Sequence, residues 1–281
     1  MKKTLIALAV AASAAVSGSA MAWTNGNFND SVDIGGSVTV GDNFAQKWAW
    51  KTGTSLGAFD SNVKEMTDGG KKLVITAAQN AAILLGKTNE AFMATDATSL
   101  AIPQIAFSDY QKGKITPVFD NVGNAGTGYL EIPVIDAQSS PIGQAKVNMT
   151  AAGARMAADA ARQRGVAASI IADTSNDIFH GGVPTIAEGA INHGMNAINF
   201  ARSMGGLEAV DMLNQLAAFD PTIINIAAST YAQSSDMTGR GASATYAMGI
   251  KSGQTLELTF TNPVTQTTVW KAPLNISVTY Q

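Results

Sequence analysis

Few side chains in this sequence are suited to catalysis or metal binding, and their spacing works against both. There are two histidines, His180 and His193, and no cysteine. Zinc sites draw on Cys, His and carboxylate at close, regular spacing. His193 follows His180 by thirteen positions, which does not make the H-E-x-x-H pair that shares one helix face. Gly86-Lys87-Thr88 ends like a phosphate-cradling loop, but Ala81 stands where that loop needs its first glycine. Gly123, Gly126 and Gly128 miss the spacing of a dinucleotide-binding turn. Asp173 and Asp177 are near enough in sequence to pair, yet an acid/base couple needs a cleft that drives two pKa values apart, and in this polar stretch they read as turn and capping residues. The chain therefore reads as a non-enzyme with no cofactor and no metal.

Charge points the same way. Without Lys2 and Lys3 the 18 basic residues fall to 16 against 21 acidic ones, a formal charge of −5. Binding of nucleic acid by counterion release needs clustered Lys and Arg. Here only Arg155, Arg162 and Arg164 gather, and they read as a solvated helix face. Nucleic acid is not an expected partner.

The elements that would position any site begin with a leader. Lys2 and Lys3 precede an apolar stretch over 5–16 and the small-residue site Ala20-Met21-Ala22, the three parts of a secretory signal. That stretch is about a dozen residues, short of the roughly 20 that span a bilayer, so cleavage after Ala22 is expected. Short alternating or apolar runs then predict strands at 32–40, 46–51, 73–77, 83–85, 102–107, 115–119, 129–135 and 142–149. Alanine-rich sequence from about 151 to 218, with Leu207, Val210, Leu213 and Leu216 three apart, predicts a helical insertion. Strand texture returns at 223–227, 244–250, 255–261, 264–270 and 274–280. Strands, then helices, then strands argue for a mainly β fold, a β-sandwich carrying a helical insertion in mid-chain, rather than a doubly wound parallel sheet.

The two ends carry the clearest pattern. Val32, Ile34, Gly36, Val38 and Val40 alternate with polar or small residues, so one face of an extended segment is apolar with a gap at the glycine. Leu274, Ile276, Val278 and Tyr280 alternate with Asn275, Ser277 and Thr279 at the other end.

These residues resemble a family, the major subunits of chaperone-usher fimbriae, in particular the cysteine-free FaeG/ClpG group and within it the ClpG members. The resemblance rests on Ser31-Val32-Asp33-Ile34-Gly35-Gly36-Ser37, Gln46-Lys47-Trp48-Ala49-Trp50-Lys51, Ile83-Leu84-Leu85-Gly86 and Ile102-Pro103-Gln104-Ile105-Ala106-Phe107. Tyr246-Ala247-Met248-Gly249-Ile250 and the ending from Trp270 to Tyr280 complete it. It implies an immunoglobulin-like sandwich that lacks its last strand. Residues 1–22 would be the leader, 23–40 the donor segment and 41–281 the subunit body. Val32, Ile34, Gly36, Val38 and Val40 would form the donor strand. Leu274, Ile276, Val278 and Tyr280 would line the acceptor edge and pair first with a periplasmic chaperone and then, at an outer-membrane usher, with the next copy of the chain. The destination would be a fimbria on the cell surface.

The same resemblance implies adhesion to host cell-surface carbohydrate. Sugar sites combine ring stacking with hydrogen bonding, so the candidates in the middle of the chain are Arg155, Phe179, His180, Asn192 and His193. The competing reading is an outer-membrane β-barrel. Export and short strands fit it, but a helical block interrupts the strands and the chain ends on Gln281 rather than an aromatic residue.

Overall fold

The computed structural model describes residues 44–53, 59, 61–95 and 100–281. The leader at 1–22, the segment 23–40 and with it Val32, Ile34, Gly36, Val38 and Val40 lie outside the described residues. The first strands are β1 (Trp48–Thr52), β2 (Lys72–Thr76), β3 (Ala81–Thr88), β4 (Pro103–Ser108), β5 (Lys114–Ile115) and β6 (Val118–Phe119). Two long strands, β7 (Thr127–Ile135) and β8 (Pro141–Asp159), and the shorter β9 (Arg164–Ile170) lead to helices α1 (Gly194–Ser203) and α2 (Ala209–Phe219). The chain closes with β10 (Asn225–Gln233), β11 (Ala242–Ile250), β12 (Thr255–Phe260) and β13 (Asn275–Tyr280).

Among the described residues, ten strands form one sheet whose spine runs β1-β3-β11-β8-β12-β2, with β7 and β9 also on β8. A second sheet has the order β13-β4-β5. Leu84, Leu130, Val147, Tyr246 and Leu256 of the large sheet share one apolar core with Ile105 and Phe107 of the small sheet, so the two are layers of a β-sandwich. The helical insertion packs on the other face of the large sheet, where Ile198, Met212 and Leu216 meet Ala152, Ala154, Met156 and Ala167.

That second layer explains where the expected helix is narrower than 151–218. The alanine-rich run from Ala151 to Ile170 is strand, and helix begins only at Gly194. Along β8, Val147, Met149 and Ala151 face the sandwich core while Ala152, Ala154 and Met156 face the helices. A strand buried on both faces loses the polar alternation that marks a half-exposed one, and its small side chains let a helix approach closely. At Gly194 a Cβ would lie 2.3 Å from the Ala167 carbonyl oxygen. Arg162 accordingly sits in the β8–β9 turn and Arg164 at the start of β9 rather than on a solvated α-helix face, each 3.2 Å from the Asp159 carboxylate. The expected strand at 264–270 is also absent, and that stretch runs as an irregular strap from β12 to β13.

Helix α2 is fixed at both ends of its buried face. Glu208 and Asp211 cap its start reciprocally. Gln215 reaches into the sheet, accepting from the Thr88 and Ser243 hydroxyls at 2.8 Å and donating to the Thr88 carbonyl at 2.9 Å. Thr88 and Ser243 are fully buried, and this exchange satisfies them.

Candidate functional site

Among the described residues the sandwich is open along one seam. Strand β13 pairs with β4 in antiparallel register, Ile276 opposite Phe107 and Val278 opposite Ile105, and its other edge has no partner among the described residues. Strand β1 likewise pairs only with β3 there, with Trp50 opposite Gly86. The seam holds a cavity of about 870 Å³. Ile83, Ile132, Val147 and Leu256 contribute from the core, Ile276 from β13 and Leu274 from just before it, Thr52 from the end of β1 and Gly53 from just after it, and the strap from Val264 to Trp270 forms a lip.

The alternation expected at 274–280 is realised. Ile276, Val278 and Tyr280 turn inward and Asn275, Ser277 and Thr279 outward. The inward residues pack against the core yet stay only half-buried. Unpaired backbone on one strand beside a row of incompletely covered apolar side chains suits an extended segment with apolar residues at every second position. Among the described residues no group of three or more His, Cys, Asp or Glu could hold a metal.

Aromatic packing fixes one end of the seam. Trp50 Nε1 donates to Tyr280 Oη at 2.8 Å. The Trp50 ring lies where a Gly86 Cβ would be, 2.3 Å from its Cζ3, so only glycine fits beneath it. Trp48, Phe179 and Tyr246 continue the cluster with ring centroids 5.1 to 6.2 Å apart. Burial pushes the Tyr280 hydroxyl pKa up, and the Trp50 hydrogen bond offsets part of that rise. The Tyr246 hydroxyl, fully buried and donating to the Gly182 carbonyl at 2.9 Å, is raised much further by burial.

The five residues expected to bind carbohydrate fall at three places in the chain: Arg155 on β8, Phe179 and His180 after β9, and Asn192 and His193 just before α1. Phe179 is fully buried, its backbone at φ 68° and its ring among Trp48, Trp50 and Tyr246, so it has no face to offer a sugar and is a core residue instead. Gly153 leaves the space its ring fills. Arg155 is on β8 and hydrogen-bonds Ser235; burial lowers its pKa and Asp236 opposes that. His180 lies beside Gln104, and exposed Asn192 and half-buried His193 lead into α1.

Gly53-Thr54-Ser55-Leu56-Gly57 has the spacing of a hydrolase nucleophile turn. Residues 54–57 lie outside the described residues. That turn needs a strand-to-helix context and a histidine partner, and the two histidines sit at Gln104 and at the start of α1.

The model of a family described as "Fimbrial, major and minor subunit" matches residues 1–281. The chain is similar to K88 fimbrial protein AB of Escherichia coli, 42% identical over 286 residues, and to K88 fimbrial protein AD, 42% over 289, with the whole of each chain covered. It is 30% identical over 297 residues to the F41 fimbrial protein of the same organism, again over the whole of both.

Proposed function

The chain belongs to the family of fimbrial major and minor subunits, and from that premise we propose that it polymerises by lending residues 23–40 of one copy to the open seam of the next. It is a structural subunit of a surface fimbria, and family membership carries this reading over the outer-membrane barrel. The observation that supports the mechanism is the edge of β13, unpaired among the described residues, above a largely apolar cavity. Val32, Ile34, Gly36, Val38 and Val40 supply the matching period of two. Four apolar side chains at roughly 1.5 to 3 kcal/mol each give on the order of 10 kcal/mol before the cost of ordering the segment. The chain has no disulfide to contribute.

On this reading the leader at 1–22 directs export, a periplasmic chaperone covers the seam with a strand of its own, and an outer-membrane usher is where the next subunit replaces it. A chain lacking 23–40 tests the assignment: it retains chaperone binding and forms no fibres. Normal fibres from that chain would refute it.

Adhesion to host carbohydrate is proposed for the same subunit, with Arg155, His180, Asn192 and His193 as the remaining candidates and Phe179 withdrawn. Asn192 is the exposed one of these. Glycan-array binding by purified fibres tests it, and unchanged binding after substitution of all four residues would remove them.

A further inference from the structure

The cavity opens onto only half of β13. Leu274 and Ile276 line it but Val278 and Tyr280 do not, and on the facing edge Thr52 and Gly53 line it but Trp48 and Trp50 do not. At the closed half the Trp50 indole donates to the Tyr280 hydroxyl at 2.8 Å, joining the edge strands of the two sheets. The indole is held in place from behind: it lies on Gly86, its ring centroid 5.9 Å from that of Tyr246 and 6.2 Å from that of Phe179. Tyr280 is the penultimate residue of the chain, on a strand paired along one side alone among the described residues. Tyr280 is held on the β4 side, opposite Pro103 and followed by the Gln281–Ile102 backbone pair at 3.1 Å, and the indole holds it from the β1 side.

We propose that the Trp50–Tyr280 bond is a latch that draws the end of β13 against β1 and keeps this half of the seam shut until an incoming strand has seated against Leu274 and Ile276. The inference rests on the acceptor reading above, with the 23–40 segment of a second copy as the occupant. A strand lying along all of Asn275–Tyr280 has to set side chains between the sheets beside Val278 and Tyr280, where the two rings now meet. The bond must open or shift before that can happen, so it retards filling of the seam without being needed for the final pairing.

Tyr280→Phe removes the hydroxyl and keeps the ring. The test mixes the full mature chain, wild type or Tyr280→Phe, with a fluorescent synthetic peptide of residues 23–40 and follows association by anisotropy. The latch predicts uptake about threefold to tenfold faster in the variant, the range expected for one neutral hydrogen bond. It also predicts that the Trp50 indole proton exchanges slowly in the empty wild-type chain and quickly both in the variant and in the peptide-filled chain. Equal uptake rates in two equally folded proteins, or slow indole exchange that persists in the filled chain, would overturn the latch and leave the acceptor reading standing. Failure of both proteins to take up peptide would overturn the acceptor reading, and the latch with it.

Discussion

Trp50 and Tyr280 are 230 residues apart in sequence and share a 2.8 Å hydrogen bond that ties the edge of the large sheet to the last strand of the small one. The bond marks where the sandwich is closed by its own side chains, and the cavity beside it marks where it is not. The predictions below concern either the closed part or the open one.

Gly86→Ala disturbs the closed part. Its new Cβ falls 2.3 Å from the Trp50 ring, which must shift against Trp48 and Tyr246 to admit it. Overpacking of this kind costs about 1 to 3 kcal/mol, a drop in Tm of roughly 2 to 4 °C for each kcal/mol in a domain of this size. Thermal unfolding followed by near-UV circular dichroism measures it.

Ile276→Asp disturbs the open part. Ile276 is only half-buried in the single chain, so folding changes little, but a strand seated over it would bury an unpaired carboxylate. Fibre yield in electron micrographs should collapse. Ser277→Asp, on the outward and exposed side of the same strand, should leave it unchanged.

Alkaline pH should loosen the core. Burial raises the pKa of both Tyr246 and Tyr280 above the ordinary value of 10.0, so the folded state favours the neutral phenols. A raised acid pKa means the folded chain holds protons that the unfolded chain releases, so the stability is complete below about pH 10 and is lost as pH climbs beyond it. Titration by absorbance at 295 nm should show the Tyr246 and Tyr280 phenols ionising at higher pH in the native chain than in denaturant.

Phe179→Ala and Asn192→Ala separate packing from recognition. Emptying the space of a fully buried phenylalanine costs about 3 to 5 kcal/mol, whereas trimming exposed Asn192 changes stability by about 0.5 kcal/mol or less. Loss of red-cell binding in a stable Asn192→Ala fibre would assign that side chain to recognition. Unchanged binding would exclude it.

The sandwich and the β13 alternation were legible because their strands are half-exposed, and period two survives in Leu130, Ile132 and Val134 as it does in Ile276 and Val278. The extent of the helices was not. Ala152, Ala154 and Ala167 are buried beneath a second layer, and an alanine run covered on both faces carries no period to distinguish strand from helix. Phe179 misled for a related reason: beside polar residues it resembled a surface ring, while its core position depends on Trp48, Trp50 and Tyr246, which lie far away in sequence. The strap at 264–270 has strand-forming residues but joins no ladder among the described residues, although Val264 N–H donates to the Gly70 carbonyl at 2.9 Å.

The most direct test of strand lending appends residues 23–40 through a flexible linker after Gln281 of a chain that lacks them at its start, and records Tm against the same chain with Val32, Ile34, Val38 and Val40 of the appended segment changed to serine. If about half of the gross 10 kcal/mol survives ordering, the native segment should raise Tm by roughly 10 to 20 °C and the serine version should not. Identical Tm values for the two chains would contradict the claim that this seam is completed by that segment.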